Sequence, residues 1–475
     1  MDFTFPKIIQ GGMGAGVSNW RLAQAVSRIG QLGVVSGTGL DQIFLRRLQD
    51  GDPGGDLRRA LSHFPFPKMA QRLLDAYFIP GGRKEGEPYR CGSTHTLDPK
   101  RQPLETCILA NFAEVYLARW GHDNPVGINY LEKIQLPHLP SLYGAMLAGV
   151  SVVIMGAGIP LEIPGALDAL ARHQVASYPI QVTGAAAGAG FRIRFDPAEF
   201  IEQDGTLPEL TRPVFLPIVS SDILATIMLR KANGSIQGFV VEGACAGGHN
   251  APPRGGMKLD AGGEPIYGPR DACDLAVMRS LGLPFWLAGG QGSAEALRAA
   301  VAAGASGVQV GTPFALCLES GFPAQIRRAL IDSALAGRAK VMTDPVASPT
   351  GFPFKVARLA GSLSEPEVYA ARTRRCDLGF LREIYLRDDG SIGYRCAAEP
   401  EVAYVAKGGK ADQTVGRKCL CNALMANIGV AQRRGNGFAE LPLVTLGDDV
   451  VGVGRFCTAG YPDYSAADVV RVILG

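Results

Sequence analysis

Residues 284–312 read PFWLAGGQGSAEALRAAVAAGASGVQVGT. A short apolar run ends in two glycines, a helix-length segment follows, and a second apolar run ends in Gly-Thr. Both runs are continuous rather than alternating, as strands of a parallel sheet must be when helices cover one face and a core fills the other. The same beat extends in both directions. Strand-like runs stand at 7–12, 32–37, 125–130, 151–158, 212–221 and 238–243, besides the two at 284–290 and 307–312. Helix-like segments follow them, among them stretches near 139–148, 162–172 and 319–336. Eight such units predict a closed (β/α)8 TIM barrel, an α/β fold; a doubly wound open sheet is the competing reading. The stretch 176–197 stands outside the count, as an extra hairpin or a substitute for the fifth strand.

Two segments break the rhythm. Residues 51–105 hold two helix-like pieces and a Gly/Pro-rich polar run, which reads as an early insertion. From about 341 the alternation stops. The expected organisation is a barrel over 1–340 and a mainly helical C-terminal extension over 341–475, packed on the barrel as a lid. Helix-like runs are expected near 364–387 and 399–407.

Composition narrows the function classes. The 475 residues are 47% hydrophobic, with 61 glycines, six histidines, ten cysteines and a net charge of +3. Lysine and arginine are scattered, with no basic stripe of the kind nucleic acid requires. No segment reads as a membrane span or a secretion leader, so a cytoplasmic protein with free thiols is expected. There is no HExxH, GxSxG or GxxxxGK[ST] motif, and GGMGAG at 11–16 lacks the GxGxxG form of a dinucleotide turn.

On a barrel, the unusual residues gather after the carboxyl ends of the strands, where such folds place active sites. Gly11, Gly12 and Met13 follow the first strand, and Asn129 ends the third. Glu242, Gly248 and His249 follow the sixth, in EGACAGGHNAPPRGG. Gly289 and Gly290 follow the seventh, and Gly311 and Thr312 the eighth. Paired glycine loops at the last two strands suit a phosphate, because backbone N–H groups can approach an anion there. His249, titrating near neutrality, is the catalytic candidate.

IIQGGMGAGVSNWRLAQAVSRIGQLGVVSGTG, PVGIN, VVEGACAGGH and WLAGGQGSAEALRAAVAAGASGVQVGT, in this order, resemble the nitronate monooxygenase (2-nitropropane dioxygenase-like) superfamily. That superfamily also contains FMN-dependent enoyl-ACP reductases and enoyl reductases of polyunsaturated fatty acid and polyketide synthesis. The resemblance implies an FMN flavoprotein. Gly11, Gly12, Met13 and Asn129 would line the flavin, with Glu242 and Gly248 also at the cofactor. Gly289, Gly290, Gly311 and Thr312 would hold its phosphate, and His249 would be the catalytic residue. Two departures stand out: Gly12 where the family often has proline, and His-Asn-Ala-Pro-Pro-Arg-Gly-Gly where many members continue His-Arg-Gly.

Three functional expectations follow. One is an FMN-dependent monooxygenase oxidising a nitronate or nitroalkane with oxygen. The second is an NAD(P)H-dependent enoyl-thioester reductase, to which the long C-terminal part, TRRCDLGFLREIY…VGRKCLCNALMANIG, is more similar. Its partner would be an acyl carrier protein. The third is a non-catalytic flavin- or phosphate-binding protein. A homodimer is a further candidate. Cys376, Cys396, Cys419 and Cys421, spaced C-x19-C-x22-C-x-C, are expected to be separate core thiols without a metal, since paired C-x2–4-C knuckles are missing.

Overall fold

The computed structural model describes residues 5–186, 188–201, 207–435, 437–458 and 461–475. Eight parallel strands form the central sheet: β1 (Ile8–Gln10), β2 (Gly33–Ser36), β3 (Val126–Leu131), β4 (Val152–Gly156), β5 (Val214–Val219), β6 (Phe239–Glu242), β7 (Phe285–Ala288) and β8 (Gly307–Val310). They pair in sequence order, and β8 returns to β1 with Ile8 opposite Val308. The remaining seam closes through Gln10 N–H donating to Leu32 O at 2.9 Å and Leu32 N–H to Ile8 O at 3.1 Å. The barrel is therefore closed, and the open-sheet alternative falls.

The continuous apolar runs have a direct cause. Ile9, Leu32, Val34, Val152, Ile154, Leu216, Val240, Trp286 and Ala288 pack together as the barrel interior. Their strand neighbours Ile8, Val35, Val153, Phe215, Phe239 and Phe285 are buried against the helix layer. Alternation puts successive side chains on opposite faces, and both faces are dry.

The fifth strand is the 214–219 segment. Ala176–Pro179 and Arg192–Phe195 form a separate antiparallel hairpin, resolving the ambiguity at 176–197. The early insertion holds helices Asp56–Leu61 and Pro67–Tyr77, then a long irregular stretch. It runs into a 19-residue helix, Arg101–Arg119, which the sequence reading left out. That helix is buried almost all round, packed on several neighbours, so it lacks the one-sided stripe that marks a surface helix.

Among its regular elements the extension is mainly helical, as expected. Alongside helices such as Leu420–Asn427 and Ala466–Leu474 it carries two antiparallel pairs, Val341–Asp344 with Phe354–Ala357 and Glu383–Leu386 with Ile392–Arg395. The helix expected near 364–387 is only Pro366–Ala371, because EIYL pairs across the Asp-Asp-Gly-Ser turn instead. Gly390 there takes a φ of +79°.

Candidate functional site

A cleft with about 1450 Å3 of empty space, counting its solvent-open mouth, lies at the carboxyl end of the barrel. All eleven residues singled out in the sequence line it: Gly11, Gly12, Met13, Asn129, Glu242, Gly248, His249, Gly289, Gly290, Gly311 and Thr312. They are separated by up to 301 positions in the chain, and the barrel brings them together by ending each parallel strand on one side.

The floor is made of glycines for steric reasons. A Cβ at Gly12 would run into the Asn129 side chain, so glycine rather than proline fits this backbone. Asn129 Nδ2 donates to Gly12 O at 3.0 Å, while its buried Oδ1 has no partner among the described residues. Gln309 Oε1, also at the cleft, is likewise buried and unpaired. Unsatisfied buried acceptors are costly, and two facing one cleft mark it as a place for a ligand with N–H or O–H donors. Gly289 and Gly290 take φ of +93° and +68°, the left-handed region open to glycine. Among the described residues the N–H groups of Gly290 and Gln291 make no backbone hydrogen bond, which leaves them for an anion.

The C-terminal extension forms the opposite wall. Phe354, Phe380, Leu381, Leu420, Leu424 and Met425 give it an apolar surface. The extension also grips the barrel loops. Thr445 Oγ1 accepts from Gly248 N–H at 2.8 Å, and Lys355 N–H donates to Gly248 O at 2.9 Å. Gly447 N–H donates to Thr312 Oγ1 at 2.9 Å. The Asp449 carboxyl lies beside Thr312, and burial raises its pKa.

His249 is held by the extension too. Its Nε2 is 2.7 Å from Ser348 Oγ, which in turn lies 2.8 Å from Thr350 Oγ1. Its ring meets Phe354 edge-on, 4.9 Å between centroids. Burial, and then the nearby Lys133 ammonium, push the imidazole down to about 3, so it is neutral across the physiological range. Nδ1 makes no hydrogen bond among the described residues and is the ring atom left for a substrate.

Two further groups share this corner. Burial pushes Glu242 up to about 7, with Lys133 opposing the rise. Burial pushes Lys133 down to about 7, with Glu132 and Glu242 opposing the fall. The Lys133 Nζ sits 3.1 Å from the centroid of the Phe352 ring and has no hydrogen-bond partner among the described residues. Glu242 is half-buried and lines the cleft, whereas Lys133, whose Nζ is buried, lies outside the lining. Sequence reading missed Lys133 and Ser348. Lys133 is an ordinary lysine after a strand, and Ser348 belongs to a segment 99 residues away from the histidine it touches.

The family model described as nitronate monooxygenase matches residues 214–347, the half of the barrel carrying β5–β8 and the histidine loop. Over that segment the match bears out the resemblance seen in the sequence. No curated protein matches the chain. Among solved structures, FabK from Thermotoga maritima is similar at 17% identity and a TM-score of 0.46, covering 99% of this chain and 91% of that one. A nitroalkane oxidase from Streptomyces ansochromogenes gives 17% and 0.46, over 98% and 94% of the two chains. The enoyl reductase domain of MlnA from the macrolactin biosynthesis cluster of Bacillus amyloliquefaciens gives 10% and 0.46, over 99% and 94%. No described helix is long and apolar enough to cross a membrane.

Proposed function

We propose that the protein is an FMN-dependent oxidoreductase of the nitronate monooxygenase type, acting on a small substrate with an acidified C–H bond or its anion. The observation that carries this reading is the convergence of His249 and Glu242 on a glycine-floored cleft, with the charge of Lys133 acting on both from outside the lining. The unpaired Asn129 and Gln309 acceptors and the Gly290–Gln291 N–H groups suit a flavin ring and its phosphate respectively. Asn129 and Gln309 would hold the ring, with Gly11, Gly12 and Met13 beside it; Gly289, Gly290, Gly311 and Thr312 would hold the phosphate. Bound there, FMN supplies the capacity to take up an electron pair and pass it on.

The chain's own groups handle the proton. His249, uncharged and oriented by Ser348, presents Nδ1 to accept it. Glu242, which lines the cleft, returns or removes the proton, and the nearby Lys133 charge acts through space on Glu242 and His249. The apolar wall from the extension excludes water around these groups, which strengthens each interaction.

That same wall favours a second reading, an enoyl-thioester reductase taking hydride equivalents from NAD(P)H. An aliphatic acyl chain would lie against Leu420, Leu424 and Met425, and a carrier protein would deliver it. An anaerobic assay of flavin reduction separates the two. Rapid reduction by nitronates with none by NADH or NADPH supports the monooxygenase. Reduction by a nicotinamide, reversed by an enoyl thioester, replaces it with the reductase. A purified protein that holds no flavin after reconstitution removes both and leaves a binding protein.

A further inference from the structure

Ten cysteines are spread over the sequence, and none forms a disulfide. Four of them come together in the extension. Cys396 and Cys419 are buried against each other around Ala398, and Cys376 and Cys421 pack against that pair. They arrive from three separate places. Cys376 lies in the irregular stretch after helix Pro366–Ala371, and Cys396 follows strand Ile392–Arg395. Cys419 and Cys421 flank the first residue of helix Leu420–Asn427. Isolated core thiols need no company, and burial of a small hydrophobe would be satisfied by any apolar neighbour.

The surroundings are those of sulfur ligands. Backbone N–H groups point at three of the four sulfurs: Ala398 at Cys396, Asn422 at Cys419, and Phe380 and Leu381 at Cys421. The Asn422 side chain adds an Nδ2–H to Cys419 Sγ at 3.6 Å. A thiol is a poor acceptor, whereas a metal-bound thiolate is a good one, and such N–H···S contacts tune bound clusters. Cations compensate the charge that four thiolates would bring: Arg382 faces Cys376 and Arg372 faces Cys419.

The spacing selects the ligand. A tetrahedral zinc with Zn–S bonds of about 2.3 Å holds its sulfurs roughly 4 Å apart. Among the described residues, only Asp41, His95 and Cys107 place three ligand atoms within 4.8 Å of one another. Cys376 and Cys396 are in hydrogen-bond contact, but no three of the four sulfurs in this packed group converge as one ion requires, which leaves a larger gap to the other sulfurs. A cluster of several irons spans that larger gap. We propose that Cys376, Cys396, Cys419 and Cys421 ligate an iron–sulfur cluster in the C-terminal extension.

The site stands next to the cleft. Cys421 lines the cleft wall, and the residues just before Cys419 brace the loop that holds His249. Arg417 Nη1 donates to Ser348 O at 2.7 Å, and Lys418 N–H donates to Ala347 O at 2.8 Å. The cluster would thus anchor the wall that orients the histidine. This proposal is independent of the reaction assigned above.

The test uses the full chain, produced with ample iron and purified without oxygen. Iron and acid-labile sulfide are measured per chain, with a visible spectrum before and after dithionite and an electron paramagnetic resonance spectrum of the reduced sample. The expected result is equal iron and sulfide, at about two to four of each per chain. Bleaching by dithionite should persist in protein stripped of flavin. Cys396→Ser and the double variant Cys419→Ser/Cys421→Ser should lose that iron, and Cys273→Ser, remote from the group, should keep it. Wild-type protein that contains no iron and takes up none from ferrous iron and sulfide overturns the proposal. So does stoichiometric zinc in its place. Both readings come from the unmodified protein, so a variant that fails to fold does not blunt them.

Discussion

The two walls of the cleft are built on opposite plans. On the barrel side each polar group sits within a few residues of the strand that aims it: Glu242 ends β6, His249 follows seven residues later, and Gly289 directly follows β7. On the extension side, Phe354, Phe380, Leu424 and Thr445 come from four separate segments and meet only through tertiary packing. The barrel wall carries groups that can bind or move a proton. The extension wall carries apolar surface and hydrogen bonds that fix those groups in place, at Gly248, His249 and Thr312. Under the proposed function, the difference divides the work: chemistry belongs to the barrel, and the choice of substrate to the extension.

The strongest way to break this division is to compare the histidine with its holder. His249→Ala should lower turnover by about 10²-fold or more, at the low end of what a proton-transfer group contributes, with flavin content unchanged. Ser348→Ala should cost about tenfold, in kcat rather than KM, because it releases the ring without removing it. Steady-state kinetics on both variants, with the bound flavin quantified, give the comparison. Equal losses would place the extension inside the chemistry and dissolve the division.

The next effect belongs to the barrel loops. Gly289 takes a φ of +93°, and a Cβ there would stand 3.0 Å from Cys245 Sγ and 3.1 Å from Ala246 N. Gly289→Ala should weaken FMN binding by about tenfold, since a residue forced into that region costs about 1–3 kcal/mol. Fluorescence titration of the stripped protein measures it. Unaltered affinity would mean that the loop serves the turn and not the ligand.

The same contrast explains what was legible in the sequence. The eight strands were readable because burial on both faces leaves an uninterrupted apolar run, and the cleft-lining residues because each sits at or within a few residues of the end of its run. Lys133 and Ser348 were not readable. The depression of Lys133 comes from burial and from Glu132 and Glu242, and Ser348 matters only through a contact across 99 positions. The helix Arg101–Arg119 escaped for a related reason: with most of its faces buried, it offers no one-sided period. The hairpin at Glu383–Leu386 lies in a stretch that reads as helical until the turn after it is weighed. The thiols looked isolated because no two but Cys419 and Cys421 are close in sequence, and only packing joins them.

A smaller effect separates Glu242 from His249 as the titrating group. With His249 near 3, a pH profile controlled by the imidazole would be flat above pH 5 or so. With Glu242 and Lys133 both near 7, kcat/KM should change through neutrality, and Glu242→Gln should remove the part of that change that belongs to the carboxyl. Stability has a definite sign as well. The folded-state pKa of Glu242 is raised, so its favourable contribution is present below about 4.5 and is lost as pH rises through about 7. Glu242→Gln should therefore raise the melting temperature above pH 7, by the equivalent of about 1–2 kcal/mol after allowing for partial exposure. A thermal melt series across pH 5–9 checks it. A variant destabilised at every pH would show that the carboxylate is held by partners and not strained by burial.

The smallest effect tests the one point where the extension intrudes on the glycine cradle. Asp449 places a carboxyl beside Thr312 and close to Gly292, where a phosphate would sit if the loops after β7 and β8 bind one. An anion there opposes a second anion, so Asp449→Asn should tighten FMN about fivefold, corresponding to about 1 kcal/mol of relieved repulsion. Riboflavin, which lacks the phosphate, should bind both proteins equally well. The advantage of the variant should shrink as pH falls, because burial raises the Asp449 pKa and the wild-type carboxyl becomes neutral. Titration of stripped protein with FMN and riboflavin at two pH values reads all three effects. Equal tightening of both ligands would move the phosphate away from Thr312. No tightening of either would mean that Asp449 turns from the cradle when it fills, and that the extension adjusts to the ligand instead of competing with it.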